Sequence, residues 1–394
     1  MIVFKEKTIN KFIFLFLMIW ITAPPLQGDT ICRFLCLVLL LYLFWKTTKR
    51  GTIPIYVLLA FLLIFAMIVV SEFMGDGLNT HMQLYLLMGY TICTAYLSKE
   101  EDVRDYLILF PIIFIVMAFW NILTIRALFV DAHVMRYLVR NSTSGYGGFG
   151  VGGYGHAYTT VLLLPLAIEF VLKGINKTGR ITALFYLITS LYMIFNSGYM
   201  IAILATIFGM VCYFFMLRGG RNNFIWIVLV FILLIVIYIN IDNILSYIID
   251  SMNVGLMRNK VIEIQRLLIE SDEASSIGSS ILFGERYERY TRDMGLILNN
   301  PIFGALNYMK VGKHSTILDM FAQYGIPAGI IFCYVLIKPL RSSLKNRIQT
   351  ANVEGATIIE LVFILLINNA SMGMGIIYIL LPIYTLFRQK SISV

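Results

Sequence analysis

An all-α polytopic membrane protein of about twelve spanning helices, with both termini cytoplasmic, is the fold this sequence predicts. Three observations lead to it. Hydrophobic residues make up 59% of the 394-residue chain and charged residues only 13%, whereas soluble domains carry about 25% charged residues. The apolar residues gather in runs close to the ~20 residues that cross a ~30 Å hydrocarbon core. The basic residues concentrate in alternate linkers, as the positive-inside rule requires.

The runs fall at 12–25, 31–45, 53–72, 82–98, 106–125, 157–172, 181–196, 199–217, 224–241, 317–337, 356–370 and 374–387. The first follows Lys5, Lys7 and Lys11, as a signal peptide would. No small-residue cleavage site comes after it, and APPLQGD reads as a turn, so it is taken as the first span. The second carries Arg33 near its outer end, where the side chain can snorkel. All five cysteines (Cys32, Cys36, Cys93, Cys212, Cys333) lie in apolar runs, as small buried hydrophobes do, and suggest neither a disulfide framework nor a metal cluster.

The linkers assign the sides. KEK with Lys11, KTTKR, KEEDVR, KGINKTGR, RGGRNN, KPLRSSLKNR and RQK hold nineteen of the thirty-one Lys and Arg residues, and the short turns PPLQGDT, MGDGLNTH, NSG and SMG hold none. The basic linkers are therefore placed inside and the short turns outside. The +9 net charge is accounted for by these linkers and does not point to nucleic acid.

Two outer loops break the pattern. Residues 126–156 carry Arg126, Arg136 and Arg140 and end in STSGYGGFGVGGYGH. Glycine at that density lets a backbone approach a ligand closely, but its spacing matches no dinucleotide fingerprint and no strand precedes it. Residues 242–316, between the ninth and tenth spans, are too long for a connector. VGLMRNKVIEIQRLLIESDE has the spacing of an amphipathic helix on the membrane surface. ASSIGSS reads as a joint, and ERYERYTRDMGLILNN as a second helix stopped by Pro301. Arg286, Arg289 and Arg292 recur on it at steps of three and share a face.

Anionic lipid headgroups call for arginine, whose planar fork holds two phosphate oxygens and stays charged. Arg136 with Arg140 and Arg286 with Arg289 could grip a diphosphate from two sides. Alternatively, these side chains pair with Asp131, Glu285, Glu288 and Asp293. Arg292 is expected to tolerate substitution better than Arg286. His314 is the candidate proton acceptor, because an imidazole titrates near neutrality and Lys313 beside it favours the neutral form. The competing role, a cap on the tenth span, is one that Ser315 and Thr316 can fill. Asp319 is expected to orient or pack. His156 and His133 are weaker candidates for the base. No GxSxG nucleophile elbow occurs, and no cluster of carboxylates and histidines suggests zinc or magnesium. No cofactor is expected.

The segment ERYERYTRDMGLILNNPIFGALNYMKVGKHSTILDMFAQYGIPAGIIF resembles the signature region of the O-antigen polymerase and ligase superfamily. The resemblance rests on Arg286 four residues before Tyr290, on NNPIFG, on His314 with Leu318 and Asp319, and on YGIPAG. Many spans and one large late outer loop fit as well. The chain has NSGYM where the family has a turn containing an arginine, and HS where HN is usual. These departures favour a repeat-unit polymerase over a ligase. The resemblance implies a bacterial cytoplasmic membrane and a glycosyltransferase-type polysaccharide polymerase acting on undecaprenyl-diphosphate-linked oligosaccharides, such as capsule or O-antigen repeats. Its partners would be that lipid-linked substrate, membrane lipids, a chain-length regulator and a flippase. It also implies that His314 takes the proton of the attacking hydroxyl. Arg136, Arg140, Arg286, Arg289 and Lys313 would hold the diphosphate, supported by Asp319, Tyr290 and His156. The rival readings are a ligase of the same superfamily and, in a different class, a flippase or other transporter of lipid-linked oligosaccharide.

Overall fold

The computed structural model describes residues 6–76, 81–130, 134–135, 150–174, 176–197, 199–217, 241–252, 255, 258–259, 261–262, 281–313, 315–341 and 351–390. Among the described residues every regular element is helical. In order they are α1 (Glu6–Thr22), α2 (Thr30–Lys49), α3 (Ile55–Met74), α4 (Met82–Gly89), α5 (Thr91–Leu97), α6 (Leu109–Val130), α7 (Tyr154–Lys173) and α8 (Lys177–Asn196). Then follow α9 (Met200–Leu217), α10 (Ile241–Ser251), α11 (Ile281–Asn299), α12 (Thr316–Arg341), α13 (Ala351–Ile367) and α14 (Ile377–Lys390). Short 3-10 turns precede α6 and α14.

Six described helices are long and apolar enough to cross a membrane: α2, α3, α6 with the turn before it, α7, α8 and α12. The protein is a polytopic membrane protein. Helices occupy eleven of the twelve apolar runs. The ninth run, 224–241, lies outside the described residues except for Ile241, as does most of the expected surface helix after Asn253. Several helices in the other runs are short: α1 and α13 have 17 residues each and α14 has 14. At 1.5 Å per residue, 17 residues reach about 26 Å. Run 82–98 is two short helices meeting at Tyr90, whose hydroxyl donates to the Leu17 carbonyl at 3.0 Å.

Local chemistry sets the helix ends. Asp29 accepts from the Cys32 N–H at 2.7 Å and starts α2, and Asn176 accepts from the Gly179 N–H at 2.6 Å and starts α8. Gly75, at φ 74°, closes α3 in the left-handed region.

The burial pattern suits lipid rather than water. Large apolar side chains stand exposed along α2, α3 and α8, among them Phe34, Phe65 and Ile188, each more than 60% exposed. Polar side chains such as Asn10, Asn121, Glu169, Glu354 and Glu360 are buried within the bundle. A bilayer accepts the first set, while the second must find partners inside the protein. Glu169 has them, receiving the Tyr213 hydroxyl, the Tyr384 hydroxyl at 2.6 Å and the Lys173 ammonium at 2.7 Å. The helix that matters most for the site is α12, which breaks at Gly325 (φ 85°, ψ 170°) into two half-helices.

Candidate cation-lined site

The motif-bearing segments meet at the break in α12. The turn after α11 returns along the broken helix and pairs with it through its backbone. Ala305 N–H donates to the Ala322 carbonyl and Leu306 N–H to the Gln323 carbonyl, both at 2.8 Å. The Ile326 N–H donates to the Pro301 carbonyl at 2.7 Å. A helix break frees carbonyls and N–H groups that apolar surroundings cannot satisfy, and the NPIFG turn satisfies them. The contact is closest at the two glycines. A side chain on Gly325 would place its Cβ 2.1 Å from the Ile302 carbonyl oxygen, and one on Gly304 would lie 2.4 Å from the Gln323 backbone.

The chain then makes a second, tighter turn. Tyr308–Lys310 form a 3-10 turn, and the Tyr308 N–H donates to Asp76 at 3.1 Å. The His81 ring meets the Tyr308 ring edge-on at 5.0 Å. Burial lowers the His81 imidazole to about 4, and its Nε2 contacts the Gln323 side-chain amide at 3.4 Å. At Gly312 the backbone passes so close to α11 that a Cβ would sit 2.7 Å from an Asp293 carboxylate oxygen and 2.9 Å from the Arg289 carbonyl oxygen. Lys313 follows with φ 62°, one of two described non-glycine residues in the left-handed region. That conformation persists only where the surroundings impose it.

Here the imposing groups are two carboxyls. Asp293 accepts from the Gly312 N–H at 2.7 Å and Asp319 from the Lys313 N–H at 2.9 Å. Consecutive N–H donors thus hold the two buried carboxyls side by side. Asp293 is 1% exposed, and burial raises its carboxyl above the ordinary range despite the Gly312 bond and Arg292 nearby. On the other side of the turn, Asn369 donates its side-chain amide to the Lys313 carbonyl at 3.0 Å. Ser315 accepts from the Leu318 N–H at 3.2 Å and so caps α12. Tyr290 donates to the Ile367 carbonyl at 3.1 Å and ties α11 to the end of α13.

Between α11 and this turn lies a cavity of about 340 Å³. Arg289, Arg292 and Glu288 line it from the helix, and Lys313, Gly312, Val311 and Met309 from the turn. The Lys313 ammonium lies over the Tyr308 ring, 4.6 Å from its centroid, and 3.2 Å from the Met309 sulfur. Among the described residues three cations and one carboxylate face the space, a set that favours an anion.

The residues expected from sequence divide into groups. Arg289 and Lys313 line the cavity together, with Asp319 and Tyr290 supporting its walls from behind. His156 is not among the lining residues. It is buried on α7, and its Nε2 contacts Asn121 Oδ1 at 2.8 Å, while Asn121 donates to Ser190 at 3.0 Å. That network joins α6, α7 and α8. Arg286 belongs to α11, but its side chain, like the whole of His314, His133, Arg136 and Arg140, lies outside the described residues.

Three features escape a reading of the sequence. Arg292, expected to be the more tolerant arginine, is part of the lining. Asp293 is buried against the turn instead of pairing outward, and Gly312 is needed for close approach. Asp293 stands four residues after Arg289, as a surface ion pair would; what linear spacing does not show is which neighbour it serves. No model of a known protein family matches the chain, and neither does any curated protein or solved structure.

Proposed function

We propose that the protein polymerises oligosaccharide repeat units carried on a polyprenyl diphosphate, at the outer face of a bacterial cytoplasmic membrane. One observation carries the reading: Arg289, Arg292 and Lys313 wall a cavity beside the start of α12, a helix long and apolar enough to cross a membrane. A diphosphate with a lipid tail is an anion that must be bound at such a place. The segment with the superfamily resemblance builds this cavity. The turn NNPIFG, the Lys313 turn preceding His314, and the YGIPAG break are parts of one assembly.

In the proposed reaction, a hydroxyl of the incoming lipid-linked repeat attacks the anomeric carbon of the growing chain. Its proton passes to His314, and the bond from that carbon to the phosphate oxygen breaks. The diphosphate leaves on its lipid with the bonding electron pair. Fixed cations stabilise the charge that develops there, and the energy is already stored in the lipid diphosphate. Arg286, Arg136 and Arg140 would complete the anion site.

The proposed topology has twelve spans, both termini inside and both long loops outside. Single cysteines at Ser144→Cys and Ser275→Cys should react with a membrane-impermeant thiol reagent in intact cells. Labelling only after lysis would overturn this orientation.

The test of function is the glycan made without the protein. Deletion should leave single-repeat products, whereas accumulated unattached long chains would indicate a ligase. Complementation with Arg289→Lys should fall short by about 10- to 100-fold, the worth of one charge-assisted hydrogen bond, because an ammonium cannot reproduce the bidentate grip. Full activity would reduce the cavity to a nonspecific basic surface.

A transporter of the same lipid-linked saccharide is the second reading, favoured by Glu360. This residue is fully buried in α13, and neither carboxyl oxygen has a hydrogen-bond partner among the described residues; intramembrane acids often mark transport pathways. Deletion would then trap lipid-linked repeats at the inner face.

A further inference from the structure

We propose that Asp293 and Asp319 form a single-proton carboxyl pair that sets the Gly312–Lys313 turn, and with it the cationic cavity. Each carboxyl accepts one of two consecutive backbone N–H groups, from Gly312 and from Lys313. Consecutive donors bring the two buried carboxyls side by side, where two carboxylates would have no donor to share. Like charges at this separation repel, and one proton removes the conflict. With one proton present, every polar contact is satisfied. Both backbone donors have acceptors, and the acid hydrogen bridges the pair. With none, the two anions separate and the left-handed Lys313 backbone loses what holds it. Asp293 and Asp319 are thus positioning residues, acting on the cavity through the turn.

The neighbouring charges fit this assignment. Arg292 adjoins Asp293 on α11, and Arg289 lies one turn before. Lys313 extends to the Tyr308 ring, and Tyr308 interacts with Asp319 and Asp76. Asn369, after α13, contributes an uncharged amide. Glu288 lines the far wall of the cavity. His314 is present in every variant compared below.

The sign follows from Asp293, whose folded value is raised. Between the ordinary carboxylate value of about 4 and that raised value, the folded protein holds more protons than the unfolded chain. Stability from the pair therefore falls as pH rises through the raised value, and is fully present only on the acid side.

The experiment measures the unfolding midpoint of the purified full-length protein against pH, for wild type, Asp293→Asn, Asp319→Asn and Asp319→Leu. An asparagine mimics the protonated member: its oxygen still accepts the backbone N–H and its amide donates to the remaining carboxylate. Each single Asn variant should keep the acid-side midpoint and lose much of the alkaline decline. Asp319→Leu, with no acceptor, should be lower by several degrees at every pH. Equal pH slopes in wild type and both Asn variants would overturn the proposal. So would Asn variants that melt as low as Asp319→Leu.

A second measurement rests on the polymerase reading: glycan length against external pH should extend further to the alkaline side in the Asn variants. If melting behaves as expected and no variant alters glycan length, the pair stands and the polymerase reading falls. If melting is flat while Arg289→Lys impairs polymerisation, the pair falls and the reading stands.

Discussion

Replacing His314 with alanine is expected to abolish long glycans and leave single repeats, with the protein present in the membrane at its normal level. Removing a general base costs about 10²–10⁴-fold in rate, and a polymer that needs many additions per chain magnifies such a loss. The chain on either side of His314 favours this role. Lys313, which precedes it, lines the cavity and is held by Asp319 and Asn369. Ser315, which follows it, caps α12 and donates to the Leu365 carbonyl at 3.3 Å. The capping role that competes for His314 is therefore already filled. His314→Gln keeps hydrogen-bonding capacity but cannot accept the proton usefully, so it should be nearly as defective as alanine. Normal-length glycan from the glutamine variant would remove His314 from the chemistry. His156 would not replace it, being engaged with Asn121 inside the α6–α7–α8 packing.

Gly325→Ala is expected to have the largest effect on stability. At φ 85° and ψ 170° the backbone occupies a region essentially reserved for glycine, and placing alanine there costs about 1–3 kcal/mol. The new Cβ would also lie 2.1 Å from the Ile302 carbonyl oxygen and 2.5 Å from its carbon. Backbone atoms cannot rotate away, so the NPIFG turn must lift, at about 1–3 kcal/mol more. The Ile326–Pro301, Ala305–Ala322 and Leu306–Gln323 bonds would weaken with it. Gly295→Ala is the control: no described residue lies within 4 Å of its added Cβ, and a helical Gly-to-Ala change stabilises by about 0.5–1 kcal/mol. Thermal unfolding in detergent should separate the two variants clearly. Equal midpoints would mean that the turn does not depend on the break.

Much of the fold is legible in the sequence, because lipid imposes a simple length rule. A run of about twenty apolar residues has few alternatives to a helix when no water can satisfy its backbone. Helices therefore lie at runs such as 53–72 and 181–196, where composition predicts them. The helix at 281–299 is also legible, from its repeating arginines and from Pro301. Part of the site is legible for a similar reason. Arg289 recurs at helical spacing within the motif-like segment, and Lys313 adjoins a scarce histidine.

What the sequence determined by itself is thus the class of fold, the helix positions and the chemical character of one loop. Tertiary structure alone decided which of those residues act together. Asp293 and Asp319 lie on different helices and become partners only because the chain between them turns twice. Arg292 joins Arg289 because Asp293 turns inward and sets the face that α11 presents to the turn. The glycines of NPIFG and YGIPAG fit one another through backbone atoms, which carry no residue-specific signal. His156 looks reactive in the sequence but is consumed by packing. The physical reason is common to all four. Apolar partitioning is a property of each segment alone, whereas a hydrogen bond or a close approach of two backbones depends on where distant segments meet.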